Sequence, residues 1–263
     1  MVDSARPFTP ADLAARPRPG PSVAPPPRIR FKTADGYPRR GRRDAVTWVD
    51  TGVLVSLGVK EGVPERFAAL YGRWLRTSIT VVHEVRRLSK RAPQTAADRD
   101  VSDAATAARA ALLSRGRERL LVSRIGHEHL ATRDQVRQQL RGLSANPNAT
   151  HGGEAELIAL AIADAAGASH VLLSNDAGAS VVADQRGLPT RHIGDILSEM
   201  ACADATLTPG SLYTELQAMT AVSKLERSVL PRSADALACR KVGDRCVPCE
   251  PEGSHPPSPQ TSV

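Results

Sequence analysis

Four carboxylates, far apart in the chain, each stand at the edge of an apolar run: Asp50 in VTWVDTGVLVSL, Glu84 in SITVVHEVRRL, Glu154 in HGGEAELIALAIA and Asp176 in HVLLSNDAGASVVA. Any fold that buries these runs carries the four acids to the margin of its core. A lone carboxylate there is costly, because a low-dielectric interior disfavours its charge. Several brought together repel one another unless a divalent cation neutralises the group. Hard oxygen donors suit Mg²⁺ or Mn²⁺, and a site of that kind suits phosphodiester hydrolysis.

The runs themselves fix the fold class. A β-branched stretch from Val46 predicts a buried strand that turns into a helix at Asp50-Thr51. Phe67, Leu70, Tyr71 and Trp74 recur at spacings of three and four, which gives one face of a helix opened by Pro64. The pattern continues with a strand over 78–82, a helix starting near Glu84 and an Ala-rich helical insertion near 92–116. A strand over 119–125 and a helix over 133–143 follow. The clearest helix spans 152–166, with Leu157, Ile158, Ala161, Ile162 and Ala165 as its apolar stripe. Strands over 170–173 and 189–192 flank a helix over 177–186, and helices over 194–202 and 210–222 close the pattern. Strands alternating with helices predict a three-layer α/β/α sandwich with a central parallel sheet, spanning 45–222. There is no internal repeat.

The ends differ from this middle. Residues 1–44 hold nine of the twenty prolines and ten basic against four acidic side chains, a net of +6 within a chain total of +7. Without apolar periodicity, this reads as a disordered basic arm. Such an arm favours an anionic partner, nucleic acid or a membrane surface, through charge alone. The stretch 223–263 reads as a mostly disordered tail. It contains Cys239, Cys246, Cys249 and His255, whose residue types suit zinc, but a single CxxC in a Pro-rich tail reads first as reduced, unstructured thiols. No uninterrupted apolar span of about 20 residues occurs, and no signal peptide is visible. The expectation is a cytoplasmic protein without a membrane partner.

In parallel α/β sheets, ligands bind beyond the carboxyl ends of the strands. Asp50 ends the first strand, and Asp176 lies just past the 170–173 strand. Glu154 precedes Leu157 and Ile158 by three and four positions and so shares their inward face. Glu156, rotated by about 100° per residue, is expected to face away. A helix start also favours negative charge at Glu154. His127 and His129 would share one face of an extended edge, and His83 and His151 read as surface histidines. Trp48, Tyr71 and Trp74 read as core, which leaves too few aromatics for a base-stacking platform. A receiver-like phosphoacceptor role for Asp50 lacks the strand-end lysine it needs.

Taken together, Val-Asp50-Thr51-Gly-Val-Leu, Glu84, Glu154-Ala-Glu-Leu-Ile-Ala-Leu-Ala and Leu-Leu-Ser174-Asn-Asp176 resemble a PIN-domain ribonuclease, over roughly residues 46–222. The resemblance implies a PIN-like, flavodoxin-like parallel sheet whose acidic residues bind Mg²⁺ or Mn²⁺ and cleave single-stranded RNA. Asp50, Glu84, Glu154 and Asp176 match its catalytic acids, with Asp50, Glu154 and Asp176 as metal ligands. Glu154 stands where many members have Asp. Thr51 and Ser174 would support the carboxylates or the metal's waters by hydrogen bonds. Arg86 and Arg87, beside Glu84, would steady the RNA backbone. Many bacterial members are VapC-type toxins, so the resemblance also implies an antitoxin protein and a homodimer as partners. The basic arm and the helical insertion depart from the typical small toxin. The competing expectation is a non-catalytic RNA- or protein-binding module on the same fold.

Overall fold

All four side chains of strand β1 (Val46–Val49) are buried, as a central parallel strand covered on both faces requires. β1 pairs with β2 (Leu75–Ser78) on one side and β4 (His170–Leu173) on the other. β3 (Leu121–Ser123) and β5 (Thr190–Arg191) extend the sheet outward, giving the order β3-β2-β1-β4-β5 with every pairing parallel. The computed structural model describes residues 46–114, 119–144, 150–164, 170–203, 206–223, 225, 230–237, 241–242 and 245–246. The basic arm, Cys239, Cys249 and His255 lie outside them, as do the side chains of Cys202 and Cys246.

Nine α-helices of the described chain complete an α/β/α sandwich. They are α1 (Thr51–Leu57), α2 (Val63–Tyr71), α3 (Ile79–Lys90), α4 (Ala96–Leu112), α5 (Leu130–Leu143), α6 (Gly152–Ala163), α7 (Ala177–Gln185), α8 (Ile193–Ala203) and α9 (Pro209–Ser223). Helices α5, α6 and α7 pack on one another, while α1, α2, α4, α8 and α9 form a second group; α3 touches both α4 and α6. The core runs through both layers, with Trp48, Phe67, Leu75, Leu157 and Leu172 fully enclosed. Among the described residues no helix is long and apolar enough to cross a membrane.

Several elements begin where short polar side chains cap them. Asp50 caps α1, Ser78 caps α3, Thr95 caps α4 and Asp176 caps α7. The cap at Ser78 overturns the strand expected over 78–82. Its hydroxyl accepts from the Val81 amide, so β2 ends at Ser78 and the β-branched Ile79, Thr80, Val81 and Val82 wind into α3. Glu84 therefore lies in the second turn of that helix and not at its opening. The expected 119–125 strand contracts to Leu121–Ser123, and the sheet edge leaves Leu121 and Val122 exposed. His127 and His129 lie in a 3₁₀ turn, so they share no strand face.

The Ala-rich helix near 92–116 is part of the core. Ala104, Ala105, Ala108 and Leu112 of α4 are buried, and α4 packs on α1, α2 and α3. Small side chains let α4 approach so closely that a Cβ at Gly58 would sit 2.0 Å from the Ala104 carbonyl oxygen. Trp48 and Tyr71 are buried and Trp74 packs against the core, as the pattern predicts. The packed chain also continues past position 222: Leu230 and Leu237 are buried, and the 3₁₀ turn Ala234–Leu237 rests on α8 and α9. Lys241–Val242 and Arg245–Cys246 pair as a short antiparallel ribbon.

The second layer encloses an ionic cluster. Arg191 pairs with Glu199 at 2.6 Å and donates to the Tyr71 hydroxyl at 2.7 Å, while that hydroxyl donates to Glu199. Burial pushes Glu199 above the usual carboxylate range, and the Arg191 guanidinium opposes the push. Removing one partner of such a pair leaves the other charge buried. Glu199→Ala is therefore expected to destabilise the fold by about 3–5 kcal/mol. Adding Arg191→Met should restore most of that loss, as read from urea unfolding midpoints at unchanged slope. A Glu199→Ala midpoint close to wild type would contradict this assignment.

Candidate metal centre

The order of strands reverses between β1 and β4, and a crevice opens at such a switch point beyond the carboxyl ends of the strands. Asp50 is the first residue beyond β1. Its amide continues the ladder to the Leu173 carbonyl at 3.0 Å, which fixes its backbone against β4. One carboxylate oxygen accepts from the Thr51 amide at 2.6 Å, and the other accepts from the Ser174 hydroxyl at 3.3 Å. Ser174 also accepts from the Asp176 amide at 3.2 Å, so one hydroxyl links the two aspartates. Asp176 Oδ1 in turn accepts from the Ala179 amide at 2.6 Å. Both aspartates thus cap helices with one oxygen, and the second oxygen of Asp50 is held by Ser174.

Glu84 and Glu154 arrive from two other helices. The Thr51 hydroxyl donates to Glu84 Oε2 at 2.5 Å, which holds the α3 carboxylate beside the end of β1. A Cβ at Gly153 would lie 2.8 Å from that same oxygen and 3.1 Å from the Val81 side chain, so the first turn of α6 lies directly against α3. His151, at the N-cap of α6, has φ 45 and ψ 33. A left-handed backbone at a non-glycine residue costs about 1–2 kcal/mol. A ring nitrogen of His151 and carboxylate oxygens of Glu154 and Asp176 all lie within 4.8 Å of one another. Asp50 and Glu84 interact with this group: Glu84 raises both Asp50 and Glu154, and Glu154 and Asp176 raise Asp50.

The electrostatics follow from burial and like charge. Asp50 is 3% exposed. Desolvation, then the charges of Glu154 and Glu84, raise its carboxyl well above the ordinary range, against the hydrogen bond from the Thr51 amide. Glu154 is raised to about 7, by burial and then by Glu84 and Asp176. Among the described residues no Lys or Arg forms an ion pair with any of the four acids. His151 Nε2 is shut off from solvent and has no hydrogen-bond partner among the described residues. Carboxylates short of positive charge, together with an orphaned imidazole nitrogen, are a donor set that fits a divalent cation.

Beside the acids lies a cavity of about 390 Å³, lined by Thr80, His83, Glu84, Arg87, Arg133, Arg137, Thr150, Gly152 and Glu156. Arg87 belongs to it, whereas Arg86 is exposed and is not among its lining residues. Arg133 and Arg137 of α5 line the same cavity as Glu84; they lie one turn apart, a spacing that carries no signal until α5 is known to face α6. Glu156 also departs from its expected place. It is 3% exposed and accepts from the Thr80 hydroxyl, because α3 and α5 close over the side of α6 that the helical period leaves outward. His151 is no plain surface histidine: the Gly152-Gly153 pair after it was the available signal, since it permits close approach of α6 to the acids. Comparisons with family models, with curated proteins and with solved structures give no match for this chain.

The raised acids make a pH prediction. An acid whose folded pKa exceeds its unfolded value adds nothing unfavourable below the unfolded value. It destabilises increasingly as pH rises from there through the folded value. For Glu154 that window runs from 4.5 to about 7. In EDTA, Glu154→Gln should therefore be more stable than wild type by about 3 kcal/mol near pH 8. The difference should shrink toward zero near pH 4. A variant no more stable than wild type across this range, by denaturant unfolding, would contradict the stated electrostatics.

Proposed function

We propose that this chain is a metal-dependent endoribonuclease of the PIN-domain kind, hydrolysing phosphodiester bonds in single-stranded RNA in the cytoplasm. The observation that carries the reading is the meeting of Asp50, Glu84, Glu154 and Asp176 at the sheet's switch point, with no basic partner among the described residues. The arginine-lined cavity against Glu84 supports it. A catalytic group of this composition needs a cation for its own neutrality and an anion-binding wall for its substrate, and both kinds of donor are adjacent.

When bound, Mg²⁺ or Mn²⁺ supplies a water of lowered pKa and neutralises charge that builds on the scissile phosphate. Asp50, Glu154 and Asp176 would hold that ion. The Ser174 hydroxyl keeps the two aspartates in register, and hydrogen bonds of this kind orient ligands. Thr51 fixes Glu84 through one oxygen, leaving the other to accept a proton from, or orient, the attacking water. Arg87, Arg133 and Arg137 would bind backbone phosphates flanking the scissile bond.

The test is incubation of the full chain and Asp50→Asn with end-labelled single-stranded RNA in Mg²⁺, Mn²⁺ or EDTA. Wild type should cleave only with a metal, and Asp50→Asn should lose about 10²-fold or more of the rate. Arg133→Ala with Arg137→Ala should weaken RNA binding and lower the salt slope by about 1.4, the single-strand value for two lost phosphate contacts. Cleavage that survives EDTA or Asp50→Asn would contradict the reading. Binding without any cleavage would favour a non-catalytic RNA-binding module.

A further inference from the structure

We propose that His151 is a direct ligand of the candidate metal centre, and that its imidazole makes the site prefer a first-row transition cation such as Mn²⁺ over Mg²⁺. This rests on the metal-site reading above and goes beyond its all-carboxylate form. The three candidate donors, from His151, Glu154 and Asp176, lie within 4.8 Å of one another. Three donors spread evenly round one cation, each at about 2.1–2.3 Å, lie about 3.6–4.0 Å from one another. The trio therefore surrounds a space that one ion fills once the donors close by at most about 1 Å.

Two further features agree with ligation. His151 Nε2 is buried, with no hydrogen-bond partner among the described residues. A buried nitrogen without a partner is costly, and a cation within reach of the two carboxylates removes that cost. The second feature is the backbone. His151 is the sole non-glycine residue of positive φ among the described residues, and the strain is retained at the one position that turns an imidazole toward Glu154 and Asp176.

The chemistry then sets the preference. Mg²⁺ favours oxygen donors and its own waters, whereas imidazole suits the transition divalents, whose affinities exceed that of Mg²⁺ at mixed nitrogen and oxygen sites. A site of Asp50, Glu154 and Asp176 alone would accept either ion. With His151 added, Mn²⁺ keeps its carboxylates and gains a nitrogen that Mg²⁺ uses poorly. Helix α6 delivers both His151 and Glu154, so the start of one helix would set metal identity as well as charge.

The experiment measures binding of Mn²⁺ alone and Mg²⁺ alone to the full chain by calorimetry, without RNA. Wild type is compared with His151→Gly, which suits the left-handed backbone, and with His151→Asn, which tolerates it and offers only an amide. Loss of a direct ligand should cost at least the roughly 10-fold in Mn²⁺ affinity that loss of a ligand's own support costs. Mg²⁺ affinity should remain nearly unchanged. Added imidazole should restore Mn²⁺ binding to His151→Gly, and pulsed electron paramagnetic resonance of bound Mn²⁺ should show a nitrogen coupling that both variants lack. Equal losses for the two ions, or no loss for either, would overturn the role of His151 while leaving the carboxylate site standing. A wild type that binds neither ion would overturn the metal-site reading itself, and this inference with it.

Discussion

The pairing of β1 with β4 is the contact on which the rest of the site depends. Its register sets Val49 beside Leu173, so the next residue of one strand, Asp50, lies against the segment Ser174–Asp176 that leaves the other. No loop has to be long or pliable to bring the acids together. Two buried strands, held by backbone hydrogen bonds and apolar packing, deliver one aspartate each to the same crevice. The neighbouring helices α3 and α6, packed on each other, then add Glu84 and Glu154. Fold and site share the same interactions.

That arrangement works against the stability of the fold. Burial and like charge raise Asp50 and Glu154 together, and the helix caps and hydroxyl contacts from Thr51 and Ser174 offset only part of the cost. The contrast with the second layer of the sandwich is instructive. There Glu199 is as deeply buried, but Arg191 and Tyr71 surround it with charge and hydrogen bonds. Glu199 is matched by the protein's own side chains, whereas the acids around Asp50 have no Lys or Arg ion-pair partner among the described residues. Strained and unsatisfied groups gathered at one place are a physical mark of function; here they are the raised acids, the left-handed His151 and its orphaned nitrogen.

Much of this was legible in the sequence because it depends on local pattern. The run before Asp50 is short and mostly β-branched, the run before Ser174 is short and apolar, and both fold as the strands expected. The acids at their ends, and Glu154 at the start of α6, follow directly. What was not legible depends on which helices meet. Ile79–Val82 looks like a strand until the Ser78 cap turns it into α3. Glu156 looks solvent-facing by its period, yet α3 and α5 enclose it. Arg133 and Arg137 carry no local signal that they share a cavity with Arg87. The Gly152-Gly153 pair after His151 signals a close approach there, but no local pattern announces the positive φ of His151 itself.

The central claim is that these carboxylates are held for a cation, and thermal unfolding of the full chain near pH 8 tests it most directly. Wild type would be melted in EDTA and then over increasing Mn²⁺ and Mg²⁺, without RNA. The account predicts a midpoint that climbs with the logarithm of cation concentration above the binding constant, equivalent to about 2.7 kcal/mol of added stability at a hundred times that constant. A midpoint that stays flat into the millimolar range for both ions would contradict it.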